Sequence, residues 1–262
     1  MNTADLIPRK HVARSFGRAA SHYDAFADLQ RAVADRLLGM LDATPPDIAL
    51  DVGCGTGYCS AHLARRFSDT QLLALDLAVP MLRAASARVP PQSSLLCADM
   101  NALPLQGGSV DLAVSSLALQ WCGEPKRVFS ELWRVLRPGG RAVLSTFGPA
   151  TLNELRAAWR AVDEHVHVNR FPGQAQLQQA AAGCGFAATI ARDVQLRHYP
   201  SLRALARELK GIGANNMNDA GPRGLTPRAA FARAEQEFIK GLTGQGVPVT
   251  WELYYLDLRK VR

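Results

Sequence analysis

The chain has 262 residues, 48% of them hydrophobic and 20% charged, with a formal charge of +7 at neutral pH. Its mean hydropathy is -0.05, and no apolar run approaches the roughly 18 residues of a spanning helix. The opening MNTADLIPRKHVARSFGRAA has no unbroken apolar stretch or small-residue cleavage site, so no secretory leader is expected.

In chain order, residues 9–42 read as helix, with Val33, Leu37, Leu38 and Leu41 at helical spacing, up to the breaker TPPD at 44–47. IALDVG is a short apolar strand and SAHLARRF a helix. QLLALDL (71–77) is a second strand, VPMLRAASARV a helix, SLLCADM a third strand and SVDLAVSSLAL a fourth. PKRVFSELWRVLRPGG is expected to be a helix stopped by Pro138-Gly139-Gly140, before a fifth strand at 141–147. Strands alternating with helices over about a hundred residues argue for a parallel sheet covered on both faces. Beyond Phe147 the expected elements are helices at 151–163 and 174–182 and a strand at 187–198. A helix entering a Gly/Asn-rich loop, a helix at 227–241 and a final alternating strand, VPVTWELYYLDLRKV, follow. Residues 200–246 look like an insertion over the sheet's edge, a lid. The whole is read as one domain: a helical cap (1–47), a core (48–147), and a substrate-side region with the lid and final strands (148–262).

LDVGCGTG places Gly53, Gly55 and Gly57 directly after the first strand. In a doubly wound sheet this loop faces the ligand. The dinucleotide pattern wants its third glycine where Tyr58 stands, and no G-K-[ST] follows for a phosphate loop. Asp76, ending the second strand about 20 residues on, is placed to take both hydroxyls of a ribose. Asp99, in CADM, can accept from an adenine amino group, with Met100 against the ring. Each acid alone also fits a helix cap or a solvated strand end. The five cysteines are odd in number and lack metal spacing, which suits reduced thiols in the cytoplasm. His165 and His167, two apart, do not share a helix face, so no metal pair is expected.

Taken in order, LDVGCGTG, LALDLA, CADMNALPL, SVDLAVSSLALQW and LRPGG resemble the class I S-adenosylmethionine-dependent methyltransferases. The resemblance implies an α/β Rossmann-like fold with a mostly parallel seven-stranded sheet, helices on both faces, and a last strand running antiparallel beside the fifth. It implies S-adenosyl-L-methionine as cofactor. Asp51 and Gly53 then face its methionine part, Asp76 the ribose, and Asp99 with Met100 the adenine; Gly55 and Ser116 are expected among the other cofactor-binding residues. The fourth strand lacks the Asn/Asp-Pro-Pro-aromatic sequence of amide and DNA N-methyltransferases, and Trp121 rather than proline precedes Cys122.

FGRAASHYDAFADLQ (16–30), LALQWCGEP (117–125), AWRAVDEHVHVNRF (158–171) and LKGIGANN (209–216) closely resemble the malonyl-acyl-carrier-protein O-methyltransferases of biotin synthesis. The implied reaction caps the free carboxylate of a malonyl thioester as a methyl ester. A carboxylate is already anionic and needs no base; it needs a cation or donors to hold it. Arg170 is the expected fork onto that carboxylate, or else a salt-bridge partner of Asp163 or Glu164. Tyr23 and Gln30 are expected to donate to cofactor or acceptor, or else to pack the N-terminal helix. Gln120 is assigned the thioester carbonyl and Trp121 the exclusion of water, with plain core as Trp121's alternative. Lys210 and Asn215 are assigned to the malonyl group or the phosphopantetheine phosphate.

The excess charge lies in two segments. Residues 1–20 hold four basic groups against Asp5, and 201–233 hold six against Glu208 and Asp219. These suit the acidic surface of an acyl-carrier protein as partner, with malonyl-CoA as a smaller substitute. The open alternatives are a methyltransferase for another small carboxylate or a quinone, a cofactor-binding assembly factor of respiratory complexes, or ordinary solvated arginines. Nucleic acid is disfavoured, since no aromatic-basic run accompanies the charge. No membrane partner is expected, and oligomeric state is not encoded legibly.

Overall fold

The structure, a computed structural model, describes residues 8–214 and 227–261. Seven strands form one sheet: β1 (Ile48–Val52), β2 (Gln71–Asp76), β3 (Ser94–Cys97), β4 (Val110–Ser116), β5 (Leu136–Phe147), β6 (Phe186–Tyr199) and β7 (Val247–Lys260). Their order is β3-β2-β1-β4-β5-β7-β6. β1 to β5 run parallel, while β7 is antiparallel to both β5 and β6. The implied fold class and the antiparallel last strand are both present.

The strands are near-continuous apolar runs because both faces are covered. On one face, α2 (Asp28–Gly39) buries Leu29, Val33 and Leu37 with Val114 and Val143 of the sheet. On the other, α5 (Pro125–Val135) buries Phe129 and Leu132 with Leu50 and Leu144. Each such fully buried side chain contributes about 1.5–3 kcal/mol. α3 (Tyr58–Arg66), α4 (Val79–Ser86) and α7 (Gln174–Ala182) complete the layers. α1 (Arg9–Ala19) meets α4, where a Cβ on Gly17 would stand 3.3 Å from Pro80. α6 (Asn153–Arg160) lies between β5 and β6 in the chain, and α8 (Leu202–Gly211) and α9 (Arg228–Phe238) lie between β6 and β7. Residues 200–246, expected to form a lid, hold α8 and α9 among the described residues.

Three expectations need correction. The helix read over 9–42 breaks after Ala19 into a short 3-10 turn at Tyr23–Ala25 before α2 begins. Asp24 explains the break: its carbonyl accepts from Arg31 at 2.7 Å, and its carboxylate accepts from Thr56 of the glycine loop at 2.8 Å. The helix over 125–140 ends at Val135, and β5 already begins at Leu136, paired with Val110. Pro138 lacks an N–H and cannot continue a helix, so the chain turns extended before it. β4 ends at Ser116, where Leu117 takes a left-handed φ of 49° and a 3-10 turn, Leu119–Trp121, follows.

The order reverses between β1 and β4, so the crevice beyond their carboxyl ends is the switch point. The glycine loop, Asp76, Asp99 and the turn at 117–121 all open there.

Candidate active site

Chain geometry after β1 dictates two of the three glycines. Gly53 has φ 74°, and a Cβ there would lie 2.4 Å from the Cβ of Ala118. Gly57 has φ 85°, and its Cβ would stand 3.0 Å from the backbone of Ala85. The left-handed φ and the close approach exclude a side chain at both. The loop is tied to β2 by Gly53 and Cys54 amides donating to Leu75 O at 2.7 and 2.9 Å.

Asp76 accepts from the Gly55 amide at 2.9 Å and the Ala78 amide at 2.8 Å. Burial pushes its carboxyl up, against these backbone bonds. Asp51 lies buried at the end of β1 and accepts from Ser60 at 2.5 Å. Burial pushes it up to about 7, opposed by Ser60 and helped by the charge of Asp76. Tyr23 is carried into the crevice by the 3-10 turn; burial and then the charges of Asp76 and Asp24 push its phenol up. Gln30 presents a buried Oε1 without a partner among the described residues.

Asp99 lies just past β3 and accepts through Oδ1 from both the amide and side chain of Asn101. Its other oxygen pairs with Arg9 of α1. Asp76, Asp99, Met100, Gly53, Gly55, Ser116 and Tyr23 line one crevice, covered by Val12 and Phe16 of α1. A contiguous hollow holds Tyr23, Gln30, Asp51, Gly55 and Ser116. The structure therefore brings together every residue expected at the cofactor. Chemically, this is a cradle with carboxylates for hydroxyls and an amine, and a buried amide oxygen with no partner among the described residues.

A second cavity, about 260 Å³, opens on the far side of Trp121. Phe147, Leu152, Trp159, Phe171, Leu209 and Trp251 make it apolar; His167, Asn169 and Thr151 are its polar lining. Trp121 lines both spaces and meets Phe16 edge-on, with centroids 5.3 Å apart. Leu117 and Leu152 are the non-glycine residues with left-handed backbone among those described, and each borders one of the two spaces.

The expected acceptor residues divide. Gln120 folds back on the frame: Nε2 donates to Leu117 O at 2.6 Å and Oε1 accepts from Thr146 at 3.3 Å. It braces the strained turn that carries Trp121. Arg170 is exposed, while its neighbours Asn169 and Phe171 line the cavity. Lys210 is exposed at the end of α8, whose Ala206 and Leu209 face inward. Asn215 lies outside the described residues.

Residues 50–144 match the Methyltransferase domain family. The malonyl-[acyl-carrier protein] O-methyltransferase of Methylococcus capsulatus is 43% identical over 253 residues, covering 94% of this chain and 91% of that protein. That of Dechloromonas aromatica is 40% identical, covering 96% and 95%. This chain belongs to the malonyl-[acyl-carrier protein] O-methyltransferase family. It also matches the biotin biosynthesis bifunctional protein BioHC of Cellvibrio japonicus at 42% identity over 98% of its own length, and spans about half, 51%, of that relative. Among solved structures, YcgJ of Bacillus subtilis superposes with a TM-score of 0.64 at 15% identity, covering 88% of this chain and 99% of that one. Geranyl diphosphate C-methyltransferase of Streptomyces coelicolor A3(2), determined with S-adenosyl-L-homocysteine, gives 0.54 at 17%, covering 88% and 76%. These likenesses carry the fold alone.

Reading the sequence missed three contributors. Asp24, Thr56 and Arg88 form a polar knot that fixes the 3-10 turn to the glycine loop. Arg9 sits on Asp99. His167 lines the second cavity. The residues of the knot are 32 to 64 positions apart, so no local spacing announces them.

Proposed function

We propose that the protein methylates the free carboxylate of a malonyl thioester carried on acyl-carrier protein, using S-adenosyl-L-methionine. The observation that carries this reading is the pair of spaces divided by Trp121: a carboxylate-lined crevice on one side and an apolar cavity on the other. Membership of the malonyl-[acyl-carrier protein] O-methyltransferase family supports the choice of acceptor.

When bound, adenosylmethionine supplies an electrophilic methyl group on a sulfonium centre. The chain's part is alignment and dehydration. Asp76 takes the ribose hydroxyls, Asp99 with Met100 the adenine, and Asp51, Gln30 and Tyr23 the amino-acid end. Trp121 and Phe16 keep water from the junction. The acceptor oxygen is already anionic, so no side chain has to remove a proton. The apolar cavity suits the uncharged thioester and pantetheine arm.

Arg203 and Arg207 stand exposed on α8, and Arg203 lies over the ring of Phe231. They offer a basic surface to an acidic carrier domain. Reversing both charges weakens use of the carrier-bound substrate and flattens its salt dependence; unchanged values would refute this docking face.

Incubation with methyl-labelled adenosylmethionine and, separately, malonyl-acyl-carrier protein, malonyl-CoA, free malonate and tRNA tests the function. Label is expected on the two malonyl thioesters. Label on free malonate or tRNA, with none on the thioesters, would overturn it.

A further inference from the structure

A carboxylate entering an apolar cavity loses its hydration and needs a partner there; an unpaired charge costs several kcal/mol. The exposed Arg170 and Lys210 are not among the residues lining this cavity. Among its described lining residues His167 is the one side chain that can carry a charge.

Its setting is built rather than incidental. His167 is largely buried, and its Nε2 meets Asp163 Oδ1 at 2.8 Å. The imidazole lies flat on the indole of Trp159, centroids 4.0 Å apart and planes within 8°. Trp159 lines the same cavity. Asp163 is fixed by the His165 amide at 2.9 Å. Although burial opposes it, the bonds from His167 and the His165 amide hold the Asp163 carboxyl below its ordinary range. The Asp163 carboxylate takes one ring nitrogen, and the indole face beneath fixes the plane of the ring. With Nε2 directed to Asp163, Nδ1 is the donor left for a ligand.

We propose that His167 is the anchor for the acceptor's carboxylate, donating from Nδ1 to one oxygen while the other is left to form the ester. Asp163 and Trp159 are positioning residues that hold the ring. The assignment rests on the malonyl-thioester reading above. In the transfer, a carboxylate oxygen forms the new bond to the methyl carbon as the methyl–sulfur bond breaks with its electron pair to sulfur. The negative charge of the acceptor and the positive charge of the sulfonium cancel, and no proton moves. The ester therefore loses the charge that His167 holds, which favours release of the product.

The test compares malonyl-CoA with malonamyl-CoA, in which an amide replaces the carboxylate, binding to protein loaded with S-adenosyl-L-homocysteine. Wild type is expected to prefer the carboxylate at least tenfold, and His167→Phe, which keeps the stack, to hold both alike. Loss of affinity for both ligands in equal measure, or a preference that survives, would overturn the anchor. In turnover, His167→Phe raises KM for malonyl-acyl-carrier protein at least tenfold with kcat within about threefold, and His167→Asn, with a donor near the Nδ1 position, recovers part of the loss. Adenosylhomocysteine affinity stays unchanged throughout and reports folding; should the phenylalanine variant lose it, His167→Ala is judged on the same pair of ligands. Wild type that binds malonyl-CoA with this preference yet methylates no malonyl thioester would count against the proposed function and not against the anchor.

Discussion

Arg9 of α1 and Asp99 beyond β3 form an ion pair across the crevice assigned to the adenine. The oxygen that Arg9 engages is the one Asn101 leaves open. An incoming adenine amino group and Arg9 thus compete for one acceptor atom. Arg9 is half exposed, and such pairs are worth about 1 kcal/mol at most. Arg9→Gln is accordingly expected to tighten adenosylhomocysteine by up to about fivefold, read by calorimetry. Weaker binding would mean that Arg9 supports the nucleoside instead.

Trp121 divides the two spaces and is braced by Phe16 from α1. Its removal admits water where the methyl must pass and loosens the alignment. Trp121→Ala is expected to lower kcat 10- to 100-fold, with a smaller change in acceptor KM. Steady-state kinetics at saturating cofactor read both; an unchanged kcat would make Trp121 simple packing.

Asp51 gives the crevice a pH dependence. Its carboxyl titrates near 7 in the fold, against an ordinary value of 3.8. Between those values the folded chain holds the extra proton, so this group's contribution to stability falls as pH rises from about 4 to about 7 and is flat above. Asp51→Asn removes that decline, as thermal unfolding across this range can show. A cofactor ammonium favours the ionised form. Adenosylhomocysteine affinity should therefore fall by up to about tenfold per unit below pH 7, with proton release on binding. A pH-independent affinity in wild type would separate Asp51 from the amine.

Glu252 ties β7 to the loop at 148–151, whose Thr151 lines the second cavity. Buried in β7, it accepts from the Ala150 amide at 2.7 Å, Arg192 at 2.5 Å and the Tyr254 hydroxyl at 3.1 Å. Thr151 exchanges two bonds with its backbone, at 2.9 and 3.0 Å. Glu252→Ala strands the buried Tyr254 hydroxyl and the part-buried Ala150 amide, a loss of about 1–3 kcal/mol. Arg192 is half exposed and remains solvated. Denaturant unfolding should show that loss; less than about 1 kcal/mol would mean the loop repacks freely.

The parallel core and the residues lining the crevice beyond β1 and β4 were legible because their causes are local. Gly53 and Gly57 mark places where the backbone passes too close for a Cβ, and Asp76 closes an apolar run. The second cavity was not. Trp159 and His167 share one stretch after β5, but Trp251 comes from β7, and all three line one cavity because β7 pairs beside β5. The charge of Arg170 and Lys210 made them natural candidates for an anion, yet both stay exposed. The neutral-looking His167 is the one inside. Helix periodicity likewise ran through residues 20–27, since the interruption comes from Asp24 reaching Thr56 across 32 positions.

The most direct trial of this account is the intact mass of malonyl-acyl-carrier protein after incubation with the enzyme and adenosylmethionine. The account predicts a gain of one methyl group on the malonyl-phosphopantetheine fragment, removable by mild alkali as an ester is. An unmodified carrier, or a methyl that survives alkali or resides on the polypeptide, would contradict it.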